Sequence, residues 1–272
     1  MQKAEGKRQK VGVVVADGVC TITLDDPPAN TYSYAMMQEL DAAILAARMD
    51  AAVHVIVLTG AGEKFFCAGA NIGMLKDADP TFKYYFCLHA NETLNRLEQT
   101  PKLVIAALNG HTVGGGLEVA MAADIRIARQ GAGKIGMPEV ALGVLPGTGG
   151  TQRFARLVGK ARAIEIMATG ALFSFEEARA MGLVNHVWGD AELSERAFLQ
   201  VVHDYAKQFT PPHRASKAVG HIKRAVQSGL EASFAEGLAL ERELQQRLFE
   251  SEDAKEGLKA NLEKRKPDFS GR

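Results

Sequence analysis

The sequence predicts an α/β protein with one large mixed core and a purely helical tail. Three observations point that way. Short apolar or β-branched runs at 11–15, 20–24, 54–59 and Leu103–Leu108 have strand character and alternate with stretches of helical spacing. The 272 residues are enough to bury a single large core. After Gly189 the strand signals stop and only helical patterns follow. The expected organisation is a flexible N-terminus over 1–10, a core over 11–189 and a helical region over 190–272.

The elements follow in order. Runs 11–15 and 20–24 are split by Ala16, Asp17 and Gly18, a turn, and read as a hairpin. Asp26-Pro27-Pro28 breaks the second strand. Residues 33–49 carry Met36, Met37, Leu40, Ile44 and Ala47 at helical spacing, with Ser33 as N-cap. The 54–59 run is continuously apolar, as expected of a strand covered on both faces. Pro80–Glu98 is a helix bearing Phe82, Tyr85, Phe86, His89, Leu94 and Leu97. Residues 125–128 form a strand, 131–136 a loop and 161–168 a helix stopped by Gly170. Ser174 and Glu177 spell a capping box that opens a further helix ending at Gly182, and 183–188 return as a short strand. The tail reads as helices over 191–209, 212–227, 230–250 and 251–264, two of them striped by Ala197, Phe198, Val201, Val202 and Tyr205 and by Leu230, Phe234, Leu238, Leu244 and Leu248. Such stripes must be buried on the chain's own core or on a neighbour.

Composition narrows the functions open to this chain. Apolar residues make up 47% and charged residues 24%, ordinary values for a globular protein. Acidic and basic residues balance at 32 each, so no polyanion footprint exists and nucleic acid is not an expected partner. No apolar run reaches the length of a membrane span and the N-terminus lacks the apolar segment of a secretory signal, so a cytoplasmic address is expected. Cys20, Cys67 and Cys87 are too few and too unpatterned for a disulfide frame, and the seven histidines have no metal-ligand spacing, so no metal is expected.

The chemistry concentrates between residues 102 and 150. The apolar strand Leu103–Leu108 leads to Gly114, Gly115 and Gly116 and then directly to a helical run over 117–123. Three glycines allow turns and close approach of backbone to a ligand. The helix start behind them offers unpaired N–H groups and the positive dipole end, a cradle for an anion or a developing oxyanion. Glu118 stands one turn inside that helix and Glu139 follows in the loop around Met137 to Val140. Two carboxylates near an oxyanion cradle suit acid–base work on a carbonyl compound. By spacing alone, a first-turn glutamate is more often a cap or dipole partner, and a glycine run more often a turn. The run from Leu145 to Thr151 lacks the Gly-Lys-Ser/Thr ending of a phosphate loop. His111, beside the glycines, could face a ligand or make a loop hydrogen bond; His89 reads as a core or interface residue.

The wording of this stretch settles between those readings. HTVGGGLEVAMAADIRIA, MPEV, LPGTGGTQR and LVGKARAIEIMATG resemble the enoyl-CoA hydratase/isomerase (crotonase) family, and the likeness runs from about Val11 to Phe269. It implies a crotonase-like spiral of repeated ββα units with a C-terminal helical region that builds homotrimers or homohexamers. It further implies an oxyanion hole from the backbone N–H groups of Ala70 and Gly115, and substrate or CoA contacts at Ala68, Gly69, Asn71, Ile72 and Gly114. Asn71 stands where the family commonly has Asp. The terminal LEKRKPDF matches the family's end and makes Lys264 a CoA contact reaching a neighbouring subunit's ligand. Arg153 is expected to be a structural anchor.

The implied activity is reversible syn addition of water to a 2-trans-enoyl-CoA, giving a 3-hydroxyacyl-CoA in fatty-acid or branched-acid breakdown. Coenzyme A is then part of the substrate and no separate cofactor is required. Glu118 would activate water and Glu139 would exchange the proton at Cα. Relatives that only shift a double bond commonly keep a single carboxylate, so the pair favours hydration. The alternatives are another reaction of the family, double-bond isomerisation or dehydration of a branched or dicarboxylic acyl-CoA, and a non-catalytic acyl-CoA-binding scaffold.

Overall fold

The computed structural model describes residues 8–272. The expected N-terminal tail therefore lies outside the described residues up to position 7; beyond it, Lys10 already pairs with Asp26 at 2.6 Å. In chain order the strands are β1 (Val11–Ala16), β2 (Val19–Leu24), β3 (Val55–Gly60), β4 (Phe65–Cys67), β5 (Leu103–Leu108), β6 (His111–Val113), β7 (Ile125–Arg129), β8 (Ile135–Gly136), β9 (Leu172–Phe173) and β10 (His186–Trp188). The helices are α1 (Tyr34–Met49), α2 (Ile72–Lys76), α3 (Pro80–Glu98), α4 (Gly115–Met121), α5 (Gly150–Val158), α6 (Lys160–Thr169), α7 (Phe175–Ala180), α8 (Asp190–Leu193), α9 (Phe198–Lys207), α10 (Ser216–Leu230), α11 (Phe234–Phe249) and α12 (Glu252–Leu262), with a 3-10 turn at Glu139–Leu142.

Two sheets share the strands. The larger runs β1-β2-β3-β5-β7-β10 and the smaller β4-β6-β8-β9. The hairpin β1–β2 is antiparallel, and every later pair in the larger sheet is parallel. Each of β3, β5 and β7 feeds a short strand of the smaller sheet (β4, β6, β8) before the chain turns helical. That recurrence is the ββα spiral.

Both faces of the larger sheet are covered, which is why its central strands read as unbroken apolar runs. Ile56 and Leu58 of β3 point into a core shared with α1, α3 and α4. Their neighbours Val55 and Val57 point the other way, onto Phe198, Val202 and Ala206 of α9. The tail thus contributes half of the core's cover. It is also pinned at α10, where the buried Lys223 ammonium meets Asp124 at 2.8 Å and donates to the Lys102 carbonyl at 3.0 Å.

Several boundaries depart from expectation for local reasons. The helix expected over 191–209 is two pieces, because Ser194 and Glu195 take left-handed backbone angles between α8 and α9. The helix expected from 212 starts at Ser216, beyond Pro211 and Pro212, which have no N–H to give. The next starts at Phe234, behind a capping box of Ser233 and Glu236. Residues 131–136 are not all loop: β8 forms there and pairs with β9. Helix α5 was not expected.

Candidate active site

The site is built where β6 meets α4. Gly114 takes φ 56°, which strongly favours glycine and lets the chain reverse into the helix. A Cβ on Gly116 would strike the Cys67 carbonyl, and one on Gly115 would strike the Tyr32 hydroxyl. Gly115 is therefore required by the protein behind it, whatever lies in front. Gly69, at φ 88°, lies so close that its Cβ would sit 3.0 Å from the Gly115 nitrogen. The two glycine-bearing corners expected from the sequence, 68–71 and 114–116, are thus in contact. Among the described residues no backbone acceptor takes the N–H of Ala70 or of Gly115.

The neighbours of Ala70 hold the corner in place. The Ala68 N–H donates to the Ala29 carbonyl at 3.0 Å, and Tyr32 bridges the corner by donating to Gly69 O and accepting from Asn71 N, both at 2.9 Å. The Asn71 side chain caps α2 by accepting from Met74 N at 2.9 Å, so the uncharged residue still anchors the loop. Ile72 opens α2 and is half exposed.

Glu118 is buried in the first turn of α4. Its Oε1 accepts from Thr148 N at 2.7 Å and Gly150 N at 2.8 Å, donors at the entry of α5. Burial raises its pKa; these two N–H bonds and the Arg153 charge act against that rise. Arg153 anchors the same loop as expected, pairing with Glu98 at 2.8 Å and Asn95 at 2.8 Å and reaching the Thr148 carbonyl at 3.3 Å.

Glu139 opens the 3-10 turn, with its Oε1 3.0 Å from where a Gly114 Cβ would stand. Its Oε2 is buried and has no hydrogen-bond partner. Burial, opposed by a hydrogen bond from its own backbone N–H and reinforced by the Glu118 charge, lifts its pKa to about 7. One carboxylate is gripped, the other is not. Burial raises both carboxyls, and they differ in their partners: Glu118 accepts two main-chain N–H groups, whereas Glu139 Oε2 accepts none.

The remaining candidates divide. His111 spends Nδ1 accepting from Lys134 N at 3.0 Å. His89 packs edge-on against Tyr34 at 5.3 Å. Lys264 ends up exposed beyond α12, and among the described residues no hydrogen bond or ion pair ties it to the glutamates or the glycine corners. Two side chains at the site went unmarked in the sequence: Tyr32 and Thr148, buried and joined through their hydroxyls at 3.1 Å. Tyr32 sits in a short unpatterned stretch behind a proline pair, and Thr148 is hidden in a glycine-rich loop.

Similarity to known proteins agrees with this geometry. Residues 15–272 match the family described as Enoyl-CoA hydratase/isomerase. The chain is 39% identical over 249 residues to the short-chain-enoyl-CoA hydratase of Clostridium acetobutylicum, covering 91% of this chain and 92% of that one. It is 41% identical over 252 residues to a probable enoyl-CoA hydratase of Rhizobium meliloti, covering 92% and 94%. A crystal structure of an enoyl-CoA hydratase from Geobacillus kaustophilus HTA426 superposes with a TM-score of 0.92 at 46% identity, over 98% of both chains. A spiral of ββα units, a glycine corner with two carboxylates beside it, and likeness along nearly the whole length agree: this chain belongs to the enoyl-CoA hydratase/isomerase family.

Proposed function

We propose that this protein is an enoyl-CoA hydratase, adding water reversibly and syn to a 2-trans-enoyl-CoA. The observation that carries this is the unequal pair: Glu118 bound through Oε1 by two N–H groups, Glu139 with a buried oxygen left unpartnered. Water is a poor nucleophile and needs a carboxylate to take its proton, while Cα needs a proton delivered as the enolate collapses. Glu118, favoured as the anion by its donors, serves as the base on water. Glu139, protonated below about pH 7, supplies the Cα proton. The N–H groups of Ala70 and Gly115 hold the thioester oxygen as negative charge builds on it, with Ala68, Gly69, Asn71, Ile72 and Gly114 shaping the surrounding contacts.

The names of relatives support the substrate class: one is a short-chain-enoyl-CoA hydratase and another, from Syntrophomonas wolfei, a crotonyl-CoA hydratase. The reading includes a place in fatty-acid or branched-acid breakdown, a cytoplasmic setting and no cofactor beyond the CoA of the substrate. No helix among the described residues is long and apolar enough to cross a membrane. It also includes a homotrimer or a pair of stacked trimers, in which Lys264 reaches the neighbour's CoA. Supporting that, the stripe Phe198, Val201 and Val202 is buried on the core, whereas Leu230 and Phe234 are 81% and 82% exposed and available to a second copy.

The test is loss of the enoyl thioester absorbance when purified protein meets crotonyl-CoA, with a 3-enoyl-CoA in parallel. Turnover of the second substrate alone would replace the hydratase reading with an isomerase one.

A further inference from the structure

Tyr32 touches all three segments that make the site. Its backbone pairs with Gly69 and Asn71 on either side of Ala70, both bonds at 2.9 Å. Its ring lies against Gly115, where a Cβ would overlap the phenol oxygen. Its hydroxyl meets Thr148 Oγ1 at 3.1 Å, and Thr148 gives its own N–H to Glu118 Oε1 at 2.7 Å. Tyr32 and Thr148 are 2% and 3% exposed, so neither hydroxyl has bulk water as an alternative partner.

A phenol in this position keeps its proton, because burial and the nearby Glu118 charge both disfavour phenolate. The Tyr32 and Thr148 hydroxyls bond to each other, which fixes Thr148 where its N–H meets Glu118 Oε1, a bond that favours the ionised acid. The other charged or titratable groups facing the pair are Arg153 on α5, Glu139 on the 3-10 turn, and Cys67 and Cys87 against the Tyr32 ring. Arg153 also favours the Glu118 anion, and Glu139 competes with it for one proton.

We propose that Tyr32 is a positioning residue: acting through the Thr148 hydroxyl, it orients Glu118 and keeps it ready to accept the proton of the attacking water. This rests on the role given to Glu118 above. Glu118 is thus oriented by main-chain N–H groups on Oε1, one of them on the residue that the Tyr32 hydroxyl holds in place.

Tyr32→Phe removes the oxygen and keeps the ring. It is expected to lower kcat about three- to tenfold while KM changes less than twofold, the size of one lost donor in a charge-assisted chain. Loosening Thr148, whose N–H favours the anion, moves the Glu118 titration upward, by about half a pH unit. Thr148→Val should do the same, Thr148→Ser should restore wild-type behaviour, and Tyr32→Phe should add nothing in the Thr148→Val background. Carboxyl 13C NMR, with the Glu118 resonance identified by its loss in Glu118→Gln, reads the titration whether or not the protein turns over. An unmoved Glu118 titration in Tyr32→Phe, full additivity with Thr148→Val, or a loss seen only in Tm overturns the proposal. A wild-type protein inactive on every enoyl-CoA offered would instead sink the hydratase reading, and the NMR titration would still decide the link from Tyr32 to Glu118.

Discussion

One carboxylate of the site stands on α4 and the other opens the 3-10 turn, and burial pushes both pKa values up. They differ in what meets them. Glu118 is received by two main-chain donors and the Arg153 field, whereas the Glu139 Oε2 is buried with no partner. Burial alone would make them alike; hydrogen bonds make them unlike. In the proposed mechanism the pair carries one proton. Hydration starts with it on Glu139, and dehydration starts with it on Glu118. Both directions therefore use the same total protonation, and both share one pH profile.

The sharpest way to break this comparison is to neutralise each acid in turn. Glu118→Gln keeps a carbonyl oxygen for the Thr148 and Gly150 donors, and Glu139→Gln replaces a side chain whose Oε2 has no partner to lose, so neither should unfold the protein. Each should cost about 10²- to 10⁴-fold in kcat on crotonyl-CoA. Activity left intact in both would remove the pair from the chemistry. Gly115→Ala should come next, at about a hundredfold, because the new Cβ meets the Tyr32 hydroxyl and must displace either the phenol or the N–H beside it. Steady-state rates beside Tm separate that loss from simple unfolding.

The proton count sharpens the comparison further. Glu139 loses its proton near pH 7, so kcat/KM should fall about tenfold per unit above that value, in hydration and in dehydration alike. A profile flat to pH 9 would mean that Glu139 works without a proton.

The smallest effect is on stability. A carboxyl raised from its ordinary value to about 7 stabilises the fold below the unfolded pKa, and that contribution is lost as pH rises through 7. Glu139→Gln should therefore be the more stable protein at pH 8, by roughly 1–2 kcal/mol once solvent screening is allowed for, and should lose that advantage by pH 4.5. Glu118→Gln should gain less, since its raised pKa acts in the same direction but the Thr148 and Gly150 N–H groups then bond a neutral amide oxygen instead of an anion. Thermal melts at the two pH values check both.

Much of this was readable before any coordinates. Strands β3 and β5 declared themselves as apolar runs because both of their faces are covered. Helices α1 and α7 carried their own caps, Ser33 and Ser174, and began where those caps say. Glu118 and Glu139 stood out because the contiguous motifs around them resemble those of the family, whereas spacing alone left a cap or dipole partner open. The break at Ser194 and Glu195, the short strands β8 and β9, and helix α5 carried weaker marks. They are made by pairing partners far along the chain or by loop geometry, and neither leaves a periodic trace.

By itself the amino-acid order determined the family, the alternation of strand and helix, and which two acids to watch, since each depends on local spacing or on a contiguous motif. Only the tertiary structure decided what each acid is worth. The donors at Thr148 and Gly150 lie 30 and 32 residues from Glu118, and Tyr32 lies 116 from the threonine it meets. The physical reason is that a proton's residence is set by the field and hydrogen bonds around a carboxylate, and here those come from distant segments that meet only when the chain is folded.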